Sequence, residues 1–181
     1  KRDAGKRLER AYQLDRSQLR IVQAYGSYLA RQGNREESLK VYQAFDELLP
    51  RHPLITDAIN ELAAGKRLPP LVDSPQAGAA EVLFGLGSVI GRRGGEDLGL
   101  IYLQLALYLA PGHPMALLSL ADFYEGVKKP ELAIKIYERI PAGSPLLRSA
   151  QIQRAMGLDS LDRTEEAKVQ LEKLIADNPS D

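Results

Sequence analysis

The sequence predicts an all-α protein built from repeated antiparallel helix hairpins. The first observation is a recurrence: Pro111, Pro145 and Pro179 stand at one constant step, and the same step separates Gly87, Ala121 and Ala155, and Gly99, Ala133 and Ala167. A fixed period of about 34 residues is the mark of a repeat architecture. The second is apolar residues at three- and four-residue steps in each half of the repeat, the spacing of one helix face. The third is the punctuation between halves, Gln32-Gly33-Asn34, Arg93-Gly94-Gly95, Val127-Lys128-Lys129 and Leu161-Asp162-Arg163, short polar or glycine turns.

Taken in order, Ala4, Leu8 and Ala11 fall where a second helix belongs, so residues 1–18 are expected to close a truncated preceding repeat. The parent protein is therefore expected to continue in both directions. Residues 19–52 form a repeat through Gly26, Leu29, Gly33, Ser38, Tyr42, Phe45 and Pro50, and 80–113, 114–147 and 148–181 tile the rest. Pro53, Pro75, Pro114, Pro130 and Pro145 suit helix starts, where a missing N–H is no loss. Small residues at Gly26, Gly87, Ala121 and Ala155 let the two helices of a hairpin approach closely. One hairpin cannot bury its apolar face alone, and stacking supplies the cover.

Residues 53–79 break the pattern. Leu54 to Ala64 reads as a first helix, but Pro69-Pro70 forbids a second and favours an extended run. Ser74 is then expected to cap a long helix starting at Pro75. This stretch is either a degenerate repeat with a surface loop or an insert that covers neighbouring apolar surface. The second reading has a motive in Glu96 to Leu109, which is apolar nearly all round and should be buried on every side. At least two of Leu100, Leu105 and Leu107, a possible second contact surface, are expected to lie under Leu68–Val72 or another subunit.

Composition narrows the function. Among 181 residues, 24 Lys and Arg balance 24 Asp and Glu, which argues against a nucleic-acid binder needing surplus cations. The absence of cysteine excludes disulfides, thiol chemistry and cysteine-based zinc sites. No apolar run reaches the roughly 18 residues of a membrane helix. His52 and His113 occupy one column in different repeats, too far apart to share a metal, and read as helix-end packing. Gly85-Leu86-Gly87-Ser88-Val89-Ile90-Gly91 lacks the strand that precedes a nucleotide loop, and no GK[ST] sequence is present. Glu36-Glu37 and Glu165-Glu166 open second helices, where negative charge complements the helix dipole. No catalytic residue, metal or cofactor is expected, and the chain reads as no enzyme.

The columns resemble the tetratricopeptide repeat (TPR) family, a 34-residue helix–turn–helix with small, Tyr/Phe, Ala and Pro positions at these spacings. The resemblance implies a TPR-type α-solenoid, a right-handed superhelix whose first helices line a concave groove. It also implies a non-catalytic scaffold that holds a partner protein or peptide. Ala79–Gly87 and Gly95–Leu107 further resemble large TPR proteins of alphaproteobacterial cell envelopes, implying a periplasmic or envelope location, with the cytoplasm the alternative.

Matching to that pattern places Arg20, Gln23, Ser27 and Arg31, then Glu81, Phe84, Ser88 and Arg92, then Met115, Leu118, Asp122 and Glu125, then Ser149, Ile152, Met156 and Asp159 on the concave side. The lysine, asparagine and arginine set with which some TPR modules grip a C-terminal carboxylate is absent. An apolar ladder, Phe84–Leu118–Ile152, remains, flanked by Met115 and Met156, whose flexible side chains suit adaptable contacts. Arg92, Asp122, Glu125 and Asp159 supply flanking charge. The ladder either fills the solenoid's own interior or receives an apolar or amphipathic segment, in which basic residues would suit the acids. Arg154 stands in a packing column held elsewhere by Tyr25, Leu86 and Leu120. It is expected to snorkel or to pair with an acidic residue such as Glu125 or Asp159, as a surface salt bridge. The alternatives to a scaffold are a structural or oligomerisation segment, as a homodimer, and an accessory domain of a larger enzyme.

Overall fold

The computed structural model describes residues 2–92 and 94–177, with the backbone alone at Arg2 and Arg92. The chain forms two compact units, Lys1–Asp73 and Ser74–Asp181. Among the described residues every regular element is a helix.

The first unit holds α1 (Arg2–Leu14), α2 (Leu19–Arg31), α3 (Arg35–Leu48) and α4 (Pro53–Ala63). Its core is Val22, Leu29, Val41, Tyr42, Phe45, Ile55, Ala58, Leu62 and Leu68. Gly26 lets α3 lie close on α2: a Cβ there would stand 2.6 Å from the Tyr42 ring. Beside it the buried Ser38 hydroxyl donates to the Gly26 carbonyl at 2.8 Å. Residues 66–73 form no helix, as Pro69-Pro70 requires. They are no loose loop, because Leu68 is buried in the first unit's core.

The second unit holds α5 (Pro75–Arg92), α6 (Glu96–Leu109), α7 (Pro114–Gly126), α8 (Pro130–Tyr137), α9 (Leu147–Asp159) and α10 (Thr164–Asp177). Ser74 caps α5, its Oγ accepting from the Ala77 N–H at 3.1 Å. The expected helix start at Pro145 is corrected to Leu147. There Ser144 Oγ accepts from the Leu146 N–H, and its carbonyl from the Leu147 N–H, so a turn precedes the helix. One core joins Phe84, Leu103, Ala106, Leu107, Leu117, Leu120, Tyr137 and Ile140, and a smaller one joins Ile134, Ala155, Leu158 and Ala167.

Five first helices end in the same way. Asn34, Lys66, Gly95, Lys129 and Arg163 donate their N–H to the carbonyls of Leu29, Glu61, Ile90, Tyr124 and Leu158. This is the six-residue closure of a Schellman motif, which needs a left-handed residue just before the donor. Gly33, Gly65, Gly94, Lys128 and Asp162 fill that place, with φ of 89°, 81°, 87°, 57° and 59°.

The cover expected over α6 is different from what the structure holds. Leu107 is buried and Leu100 half-buried against the second unit's own core. Leu105 is exposed, together with Leu98, Ile101 and Tyr108. Leu68 meanwhile belongs to the first unit's core. The apolar periphery of α6 is therefore open on one face, where Gln104 is exposed among Ile101, Leu105 and Tyr108.

Candidate functional site

The first helices of the second unit, α5, α7 and α9, carry the residues predicted for the groove. Phe84 on α5 is corrected: it is 5 % exposed and lies in the core. Its ring lies 5.1 Å from that of His113, tilted by 39°, and it shares the core with Leu103, Leu117 and Leu120. Met115 and Leu118 on α7 are half-buried, packed against the same core with one side open. Ile152 and Met156 on α9 are exposed at 37 % and 59 % and belong to neither core. The structure thus brings Phe84, Met115 and Leu118 together and leaves Ile152 and Met156 as separate apolar surface. The Arg92 side chain lies outside the described residues.

Two carboxylates follow Leu118 along α7. Asp122 is held above its ordinary range by partial desolvation, with the neighbouring Glu125 carboxylate adding to the shift. Glu125 accepts a hydrogen bond from the Tyr137 hydroxyl at 3.0 Å. Burial and that carboxylate raise the Tyr137 phenol, which stays protonated. Asp159 accepts from Thr164 Oγ1 at 2.8 Å and serves the turn into α10. Arg154 forms the expected surface salt bridge, with a different acid from the two named. It pairs with Glu138 through Nε at 3.0 Å and Nη2 at 2.8 Å, and with Gln170.

His113 has a polar role that sequence reading missed. Its Nδ1 accepts from the Ala116 N–H at 3.2 Å, so it is the N-cap of α7. A backbone N–H can only donate, so the neutral ring carries its proton on Nε2. That nitrogen stands 3.2 Å from Glu81 Oε2 and donates to it. The His-Pro pair at a helix start could not have shown this, because His52-Pro53 opens α4 with no side-chain cap. His52 stands in the same column, but its Nδ1 is buried without a partner.

Ser27 and Ser88, both assigned to the concave side, are also engaged differently. Ser27 Oγ donates to the Pro69 carbonyl at 2.7 Å, so at this point the first unit's face meets its own chain. Ser88 Oγ is buried with no hydrogen-bond partner. Among the described residues no group of three or more His, Asp or Glu is placed to hold a metal ion. Nor is any helix there long and apolar enough to cross a membrane.

Solved structures share this fold. Two crystal structures of MamA are similar at a TM-score of 0.50 each, with 16% and 15% sequence identity. They align over 93% of this chain and over 83% and 78% of their own. YrrB, described as a TPR protein with an unusual peptide-binding site, aligns over 96% of this chain and 93% of its own. Its identity is 16% and its TM-score 0.48. The fold is a TPR-type helical repeat. No protein-family model matches the chain, and no curated protein matches it by sequence.

Proposed function

We propose that the chain is a non-catalytic protein-interaction scaffold that takes a partner peptide or helix along the first helices of its second unit. The contact set is Met115, Leu118, Asp122, Ile152 and Met156, with Glu125 adding charge. The observation that carries this reading is apolar surface left open on two first helices: Leu118 half-buried on α7, which also exposes Asp122, and Ile152 and Met156 exposed on α9. Apolar side chains of this kind at helical spacing, next to carboxylates, suit an amphipathic or extended segment laid into a groove. The test is capture from an extract of the source organism with wild type, Leu118→Glu and Met156→Glu as baits, compared by mass spectrometry. Proteins held by the wild type and lost from both variants are expected. Met156 is exposed enough that its variant leaves the fold intact, which circular dichroism checks. Identical captures by all three baits overturn the reading.

A second reading, self-association, is favoured by a different surface. Val82, Leu86 and Val89 on α5 and Leu98, Ile101, Leu105 and Tyr108 on α6 are all exposed. No charged residue occurs in 82–91 or 98–109. An apolar face free of like charges is self-complementary in a two-fold dimer. Sedimentation velocity over a hundredfold concentration range tests it. A concentration-dependent dimer abolished by Ile101→Glu supports it, and a monomer throughout removes it.

A further inference from the structure

The first unit already shows how a first-helix face of this chain holds an irregular segment. Ser27 Oγ donates to the Pro69 carbonyl at 2.7 Å. Lys66 Nζ meets Glu61 Oε1 at 2.8 Å, five residues back on α4, whose last turn the Lys66 N–H also closes by donating to the Glu61 carbonyl. Between those two anchors Leu68 is buried in the core, 7 % exposed. The chemistry fits the ligand. Prolines remove N–H donors from such a segment and leave its carbonyls seeking donors. A hydroxyl on the helix supplies one and asks for no donor in return.

The two anchors lie on consecutive first helices, α2 and α4, one repeat length apart. The second unit repeats the pair. Ser88 on α5 is the ninth residue of its repeat, as Ser27 is of its own, and Asp122 on α7 lies one repeat length beyond Ser88. There both anchors lack what Ser27 and Glu61 hold. Ser88 Oγ is buried with no hydrogen-bond partner, a costly state that calls for an explanation. A serine hydroxyl can turn between staggered rotamers to meet an acceptor. Asp122 forms no ion pair among the described residues, and its carboxyl is raised by partial desolvation and by Glu125, a state that a bound cation relieves. Met115 and Leu118 on the same helix offer half-buried apolar surface for a leucine.

We propose that the second unit binds, in trans, an extended partner segment of the form Lys-x-Leu-Pro. Ser88 donates to the proline carbonyl, Asp122 takes the lysine ammonium, and the leucine rests on Met115 and Leu118. This inference rests on the groove reading above and names the ligand chemistry for it. The chain's own Lys66-Arg67-Leu68-Pro69 is the template, held in cis by the first unit.

The experiment titrates a fluorescent peptide of sequence Ala-Gly-Lys-Arg-Leu-Pro-Pro-Leu-Val-Asp, copied from residues 64–73, into the full chain and reads anisotropy. Saturable binding to the wild type is expected, weakened about fivefold or more by Ser88→Ala and by Asp122→Asn. A peptide with Glu in place of its lysine is expected to lose binding to the wild type and to regain it with Asp122→Lys. Circular dichroism verifies that each variant keeps its helicity. No saturable binding to the wild type overturns the inference, as does binding that either variant leaves intact. The two readings fail separately. A partner captured in a Leu118-dependent way that this peptide does not displace leaves the groove standing and removes the Lys-x-Leu-Pro assignment.

Discussion

Gly87 and Gly99 bring the backbones of α5 and α6 so close that a Cβ built on Gly99 would lie 2.9 Å from the Gly87 carbonyl oxygen. The same Cβ would lie 2.9 Å from the Gly91 Cα. These neighbours are backbone atoms of a helix and cannot move aside as a side chain can. Later repeats hold alanine in both columns, at Ala121 and Ala133 and at Ala155 and Ala167, so this hairpin is packed more tightly than those. Gly99→Ala is expected to destabilise the chain by about 1–3 kcal/mol, the overpacking cost outweighing the better helix propensity of alanine. Gly85, on the same helix as Gly87, has open space around its Cβ position. Gly85→Ala is expected to stabilise by about 0.5–1 kcal/mol. Urea midpoints measure both, and equal shifts of the same sign would show that close approach is not what sets the glycine at 99.

The sequence made the repeat legible because a period needs no knowledge of depth. Columns at one constant spacing located the small residues between paired helices and the turn residues Lys128 and Asp162, since each is repeated in register. Depth was harder. The repeat columns put Phe84 and Leu118 on one predicted face, yet Phe84 is buried in a core with Leu103, Leu117 and Leu120, residues distant in the chain. The course of Leu68–Pro70 was hidden for a related reason. Ser27 and Pro69 are 42 residues apart, and no local pattern encodes that pairing. Arg154 was legible as a residue in need of an acid, but Glu138 lies in a different column from the candidates Glu125 and Asp159.

The left-handed column predicts a gain of stability. Lys128 has φ of 57° and Asp162 of 59°, where Gly33, Gly65 and Gly94 serve the other first helices. A side chain in that conformation costs about 1–2 kcal/mol, less for aspartate, and glycine avoids it. Glycine also adds freedom to the unfolded chain, which offsets part of the relief. Lys128→Gly is expected to stabilise by about 0.5–1 kcal/mol and Asp162→Gly by less. In the opposite direction Gly33→Ala is expected to cost about 1 kcal/mol. Thermal melts of the three variants decide the matter; a loss of stability in Lys128→Gly would mean its side chain contributes something the backbone conformation does not reveal.

His113 joins three interactions at the start of α7: the cap on the Ala116 N–H, the bond to Glu81, and the ring contact with Phe84. Replacing a capping side chain by alanine costs about 0.5–2 kcal/mol. Here the Glu81 carboxylate also loses a donor in a largely buried place. His113→Ala is expected at the upper end of that range, about 2 kcal/mol. His113→Asn, which can still cap, is expected to lose less. Denaturant unfolding that ranks asparagine no better than alanine would move the weight from the cap to the ring contact.

His52 predicts how stability changes with pH. Its imidazole lies edge-on to Phe45 with ring centroids 6.4 Å apart, and its buried Nδ1 has no partner. Burial lowers its pKa below the ordinary 6.5. The unfolded chain therefore takes up the proton more readily than the folded one. Stability is then at its full value above about pH 6.5 and is lost as the pH falls through that value toward the lower folded-state pKa. Asp57 and Asp122, both raised above the ordinary carboxylate value, act in the opposite sense in their own, more acidic range. The urea midpoint is expected to fall between pH 7.5 and 5.5. His52→Phe, which keeps a ring beside Phe45 and cannot titrate, is expected to flatten that fall. Parallel pH profiles for wild type and variant would mean that His52 is not the group whose titration sets the fall.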